Sequence, residues 1–159
     1  MNTKLRSPRE ALVESGLNPS FQRIRILEHM LGRLDHPTVS MVHDSLIREM
    51  PMLAKATVYN TLNAFVEKGL AIALTITSEE CRYDCRREAH HHFLCKRCGS
   101  ILDIEIRCKY AGVGEVMGHR VEDIHGYFKG TCKTCLTEEE RARARSKKIL
   151  QHTISKKGG

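Results

Sequence analysis

The stretch Ala89-His90-His91-His92-Phe93-Leu94-Cys95-Lys96-Arg97-Cys98 decides the reading of this chain. Three consecutive imidazoles stand just ahead of a Cys-x-x-Cys knuckle, and a second such pair, Cys132 and Cys135, follows much later. Two pairs of this kind bring four thiolates to one ion, the tetrahedral shell of a structural zinc. The pairs are 33 residues apart, more than the roughly 15–20 of a compact zinc ribbon. The zinc is therefore expected to tie together distant strands of a small domain, with disulfides or redox-active thiols as the alternative. Imidazoles suit iron, manganese, zinc or nickel in a mixed nitrogen and oxygen shell. Side chains alternate along an extended segment, which puts His90 and His92 on one face and His91 on the other. His90 and His92 are the candidate ligand pair.

Outward from this stretch, composition sets the frame. At 159 residues the chain fits one domain or two small ones. No run of apolar residues is long enough for a membrane span, and Met1-Asn-Thr-Lys-Leu-Arg-Ser-Pro8 has no apolar signal-peptide core, so a cytoplasmic location is expected. In a reducing compartment seven cysteines argue for metal rather than disulfides. The net charge of +7 suggests an anionic partner, yet residues 1–84 hold 10 basic and 10 acidic groups. The excess lies in the second half, so a nucleic-acid reading has to rest on local geometry.

Ahead of the histidines the sequence reads as helices. Ser7-Pro8-Arg9-Glu10 is a capping-box start, and Gly16 is the expected end of the first helix. A second helix follows Asn18-Pro19-Ser20, with Phe21, Ile24, Leu27, Met30 and Leu31 on its inward face. Arg23 and Arg25, with Arg6 and Arg9, make a candidate basic edge; solvated helix arginines are the plainer reading. Thr38 to Met50 reads as a third helix, stopped by Pro51. Lys55 to Gly69 is the fourth, with Val58, Leu62, Phe65 and Val66 inward. That leaves Lys55, Thr57, Tyr59, Asn60, Thr61 and Asn63 on the other side. Helix, short turn and a helix with amides, hydroxyls and a tyrosine on its free face is the layout of a helix-turn-helix, whose second helix enters the major groove. Polar outer faces are also ordinary. Leu70 to Thr77 and Cys81 to Asp84 read as a hairpin turned at Ser78-Glu79-Glu80, which after a recognition helix is a wing.

Beyond a polar step at Cys85-Arg86-Arg87-Glu88, Phe93-Leu94 and Ile101 to Ile106 read as strands, with Gly99 turning between them. Asp103 and Glu105 share one face, opposite Leu102, Ile104 and Ile106. Asp103 is a plausible oxygen ligand, and a solvated strand face the alternative. Lys109 to His119 reads as a short helix interrupted by Gly112, Gly114 and Gly118. A strand or two follows around Val121 to Phe128. From Thr137 onward acids precede bases, as a helix dipole prefers, in a flexible charged tail.

Taken together, Ala56-Thr57-Val58-Tyr59-Asn60-Thr61-Leu62, Arg82-Tyr83-Asp84, His90-x-His92-x-x-Cys95-x-x-Cys98 and Cys132-x-x-Cys135 resemble the ferric uptake regulator (Fur) superfamily of metal-dependent repressors. The sequence is most similar to its peroxide-sensing PerR branch: Asp103 and Asn60 stand where iron-uptake repressors usually carry glutamate and arginine, Ala89 replaces a ligand histidine, and His125 is one place out of step. The resemblance implies an α+β homodimer. Residues 1–84 would form a winged helix-turn-helix domain, 85–88 a hinge and 89–136 a small α/β dimerisation domain with the four-cysteine zinc site, followed by the tail at 137–159. It implies a regulatory Fe2+ or Mn2+ held by His36, Asp84, His90, His92 and Asp103, a double-stranded DNA operator read by the fourth helix with Arg23, no enzymatic activity, and peroxide-driven oxidation at His36 or His90. A repressor answering iron, zinc or manganese itself shares these features. A zinc hydrolase or deaminase is a remote alternative, since no His-Glu-x-x-His or His-x-Glu motif is present. Cys81, Cys85 and Cys108 are extra thiols read as packing or incidental, with a lowered pKa and a thiol response at Cys85, beside two arginines, as the alternative. His29 and His43 are expected to be helix residues rather than ligands.

Overall fold

The computed structural model describes residues 7–77, 80–86, 90–106, 114–121, 124 and 126–143. It divides into two compact units, Met1–His90 and His91–Gly159. Arg6, the Ser78-Glu79 turn, Arg87 to Ala89, Cys108, Gly112, His125 and the tail beyond 143 lie outside the described residues.

The first unit opens with α1 (Pro8–Glu14), whose start is fixed by the expected capping box between Ser7 and Glu10. The turn ends at Gly16, whose φ of 74° suits a residue without a Cβ. Ser20 caps α2 (Phe21–Met30). Its inward arc is Ile26, Leu27 and Met30, while Phe21 is 67% and Leu31 47% exposed. The expected stripe is therefore rotated: α2 packs against α1, α3 and α4, and these neighbours, not the helix's own periodicity, select the buried arc. Thr38 caps α3 (Val39–Leu46), which is shorter than expected because residues 47–49 form turns. His43 Nε2 lies 3.0 Å from the Leu53 carbonyl and fastens α3 to the turn before the next helix.

That helix, α4 (Lys55–Glu67), buries Val58, Leu62 and Phe65 completely. Leu70 N–H returns to the Phe65 carbonyl at 2.8 Å, closing the helix around Gly69. The wing follows as β1 (Ile72–Leu74) paired antiparallel with β2 (Arg82–Asp84), Ala73 opposite Tyr83. One apolar core, from Leu12 through Phe65 to Tyr83, holds the unit together.

In the second unit β3 (His91–Cys95) lies at the centre of a three-stranded sheet, antiparallel to β4 (Ile101–Ile104) and parallel to β7 (Tyr127–Gly130). The glycine-rich segment differs from expectation. Its described part is a hairpin of β5 (Glu115–Val116) and β6 (His119–Arg120), turned at Met117 and Gly118 with φ of 53° and 81°, the paired left-handed geometry of a two-residue hairpin turn. Residues 133–143 are helical. Among the described residues the buried apolar side chains of this unit are Cys95, Ile101, Cys132 and Cys135, against more than a dozen in the first unit. Leu102 and Phe128, register partners of Phe93 on its two sides, are 43% and 41% exposed. The fold is α+β, a winged helix-turn-helix region followed by a small sheet region with a four-cysteine cluster. Among the described residues no helix is long and apolar enough to cross a membrane.

Candidate metal centres and nucleic-acid interface

The four cysteines converge. Cys95 ends β3, Cys98 lies within the turn closed by Gly99 N–H on the Cys95 carbonyl at 2.9 Å, and Cys132 and Cys135 stand at the start of the last helical segment. Their sulfurs lie within 4.8 Å of one another; Cys95 to Cys135 and Cys98 to Cys132 are each 3.9 Å. Tetrahedral zinc with bonds of about 2.3 Å separates its thiolates by about 3.8 Å, whereas a disulfide needs about 2.05 Å. The spacing fits the metal and is nearly twice that of a disulfide.

The thiols are unequally prepared for ligation. Backbone N–H groups of Cys98 and then Cys132 bring Cys95 down to about 6, and the Cys132 N–H sits 3.3 Å from its sulfur. Burial pushes Cys135 the other way, to about 12, a position that a bound cation reverses by favouring thiolate. Sequence reading missed Arg97, which donates to the Cys135 carbonyl at 2.8 Å and pairs with Glu139 at 3.1 Å, clamping one cysteine pair to the other.

The histidine and carboxylate residues form two groups, one in each unit. In the first, His36 is 1% exposed and Asp84 3%, and the nitrogens offered by His36 and His90 lie within 4.8 Å of each other. His90 Nε2 stands 2.9 Å from Asp84 Oδ2, both side chains nearly inaccessible. His36 has a φ of 47°, a left-handed conformation that costs a residue with a Cβ about 1–2 kcal/mol. β2 holds it there: Arg82 Nη1 donates to the His36 carbonyl at 3.3 Å, and the Tyr83 N–H to the Pro37 carbonyl at 3.1 Å. The Arg86 N–H donates to Asp84 Oδ1 at 2.8 Å. Nothing local in the sequence flags the 46-residue reach of Arg82.

In the second unit His92 and Asp103 are direct register partners across β3 and β4, with Nε2 to Oδ1 at 4.0 Å. His91 points to the opposite face, as alternation requires, and packs edge-on to Phe128 at 5.9 Å between ring centroids. A Cβ at Gly126 would lie 2.3 Å from its Nδ1. Imidazole and carboxylate donors buried together form a mixed set that suits ferrous iron or manganese.

On α4, Lys55, Tyr59 and Asn60 are exposed and Thr57 and Asn63 half-buried. Thr61 departs from the expected outer face: it is 5% exposed and points toward the core with Val58 and Leu62. A threonine looks polar in a pattern, yet its methyl packs well in a core. Arg23 is half-buried, with Nη1 on the Asn18 carbonyl at 3.2 Å. Arg25 is ion-paired with Glu28 and Glu49 rather than part of a free basic edge. Tyr83 is 2% exposed and its hydroxyl donates to Asn63 Oδ1 at 3.3 Å. Cys85 packs in the core, and the lowered-pKa alternative fails: burial, with the Asp84 charge, pushes its thiol up to about 12. Next to its arginines in sequence, it is inside the core in space. His43 binds Asp44 and Leu53 as a structural residue.

Comparison with known proteins agrees with this architecture. Residues 14–123 match the Ferric uptake regulator family. The chain is 32% identical over 143 residues to the peroxide operon regulator of Bacillus subtilis (strain 168), covering 86% of this chain and 96% of that protein. It is 29% identical over 133 residues to the peroxide-responsive repressor PerR of Staphylococcus aureus (strain Mu50), covering 79% and 86%. In fold it is similar to the manganese-containing ferric uptake regulator structure from Pseudomonas aeruginosa, with a TM-score of 0.67, 20% identity and coverage of 80% and 99%.

Proposed function

Given that this chain belongs to the ferric uptake regulator family, a family of transcriptional regulators rather than enzymes, we propose that it is a metal-dependent DNA-binding repressor that senses peroxide. The buried His36, Asp84 and His90 group carries the reading, because it lies in the same small unit as the helix offered to DNA. His92 and Asp103 complete the donor set. His92 is two residues along the chain from His90, a span of at most about 7 Å, so one ion can draw on both groups. The regulatory metal is Fe2+ or Mn2+; Cys95, Cys98, Cys132 and Cys135 hold the structural zinc.

Lys55, Thr57, Tyr59, Asn60 and Asn63 meet the major groove, with Arg23 as a flanking phosphate contact. Thr61 instead anchors the helix from behind. The exposed apolar pair Leu102 and Phe128 beside Phe93 is covered by a second copy of the chain, which gives a homodimer reading two half-sites about one helical turn apart. A metal that binds the DNA-competent state more tightly than the other shifts the population toward it.

Ferrous iron held by these residues would supply the redox chemistry that activates peroxide beside the imidazoles, without being consumed in the net step. One peroxide oxygen is added to the ring of His36 or His90 and the other leaves as water. An imidazole so altered is a poorer ligand, so the DNA-competent state is lost. Two kinds of relative share this architecture, and the test separates them. Load the zinc-bound protein with Fe2+ or Mn2+, measure DNA binding before and after peroxide, and search by mass spectrometry for one added oxygen at His36 or His90. Oxidation and loss of binding with iron but not manganese is the expected result. Metal-dependent DNA binding that survives peroxide with both imidazoles intact overturns the peroxide assignment and leaves a repressor answering the metal itself.

A further inference from the structure

The three residues of β2 each face a different task. Arg82 spans back to the carbonyls of Asp35 and His36, at 3.5 and 3.3 Å. Asp84 holds His90. Between them Tyr83 does two things: its backbone N–H is fixed to the Pro37 carbonyl, one residue past His36, and its side chain runs through the core to Asn63 on α4.

Asn63 stands three residues after Asn60 and four after Tyr59, so it shares their side of the helix. With Oδ1 accepting from Tyr83, its amide keeps two N–H donors to offer to an outside acceptor such as a base edge. One rigid side chain thus joins the strand that carries the metal donors to the helix offered to DNA.

We propose that Tyr83 is a positioning residue that couples metal binding at the His36, Asp84 and His90 group to the outer face of α4 through its hydrogen bond to Asn63. The ring is core in any reading; the hydroxyl is the coupling element. This rests on the repressor reading above. Coupling between two ligands is reciprocal, so the factor by which metal tightens DNA binding equals the factor by which DNA tightens metal binding. Removing a coupling element lowers that factor without having to weaken metal binding itself.

The test uses the full zinc-loaded chain, Mn2+ as the probe metal, and a duplex selected from a random-sequence pool by the Mn2+-loaded wild type. The Kd for Mn2+ is measured with and without duplex, and the Kd for duplex with and without Mn2+. Tyr83→Phe should leave Mn2+ affinity without DNA within about two-fold and lower the coupling factor by about five-fold, the loss of one buried hydrogen bond. Asn63→Ala should lower the factor equally, and the double variant no further. Asn63→Ala, at a half-buried position, carries the test alone if Tyr83→Phe does not fold. A coupling factor unchanged in a folded variant, even with both affinities reduced, reveals a merely structural tyrosine and overturns the assignment. A wild type whose DNA affinity ignores Mn2+ sinks the repressor reading, and this inference with it.

Discussion

Zinc removal should unfold the second unit and spare the first. Among its described residues the second unit buries one aliphatic side chain, Ile101, beside the three cysteines Cys95, Cys132 and Cys135 and the partly covered Phe93. A buried isoleucine contributes about 1.5–3 kcal/mol, while a four-ligand structural zinc contributes about 10–16 kcal/mol of apparent binding energy near neutral pH. A bound zinc would therefore do the work that Leu12, Ile26, Leu62, Phe65 and their neighbours do in the first unit. The assay is residue-resolved amide hydrogen exchange under reducing conditions, before and after a chelator has removed zinc to a level confirmed by metal analysis. Amides of β3, β4 and β7 should lose protection while those of α2 to α4 keep theirs. Cys132→Ser, which removes one ligand and a sulfur 3.9 Å from Cys98, should do the same in the presence of zinc. A sheet that stays protected in verified zinc-free protein refutes the reasoning, because its stability would then come from elsewhere.

Other substitutions test other features. Gly126→Ala places a Cβ 2.3 Å from His91 Nδ1 and should cost about 1–3 kcal/mol in thermal or denaturant unfolding; adding His91→Ala should recover most of it, and a Gly126→Ala protein of unaltered stability contradicts the close packing. At His36, with φ 47°, Asn should be better tolerated than Val by about 1 kcal/mol although both remove the ligand, and equal stabilities in denaturant would show that the backbone there is not strained. Cys85 is neutral when folded, its value raised from 9.0 to about 12. Its stabilising contribution is complete below pH 9 and lost as pH climbs toward 12, so the stability advantage of wild type over Cys85→Ala should shrink in alkaline solution; an advantage that grows with pH would invert the sign. Thr61→Val should leave DNA binding nearly unchanged, whereas Asn60→Ala should weaken it by about 1–3 kcal/mol; equal losses in a gel-shift titration would place Thr61 on the wrong side of the helix.

What could be read from sequence was what neighbours in the chain decide. Ser7, Pro8 and Glu10 carry the start of α1 within four residues, and the cysteine pairs carry their own turn geometry. The alternation that separates His91 from His92 is likewise a property of one strand. What could not be read was set across space. Which arc of α2 faces inward depends on three other helices, so Phe21 could not be known to lie outside. Thr61 is buried because α4 is pressed against the core at that turn, and a hydroxyl in a sequence does not reveal it. Cys85 sits beside arginines in the chain and among apolar side chains in the fold. The hairpin at Met117-Gly118 was hidden because methionine is an unusual residue at positive φ. The support of His36 by Arg82, and of Asn63 by Tyr83, joins segments 46 and 20 residues apart.

The parallel pairing of β3 with β7 gives the zinc site a history as well as a shape. β4 can join β3 as soon as both have left the ribosome, because only a short turn separates them, and His92 then faces Asp103. Cys135 follows Cys98 by 37 residues, and at roughly 5–20 residues per second of synthesis the first thiolate pair waits about 2–7 s for the second. For that interval every new chain carries half a coordination shell, open to whichever soft ion is nearest. The order in which the chain is made would therefore leave the Cys95 and Cys98 pair open to competing soft ions until Cys132 and Cys135 arrive.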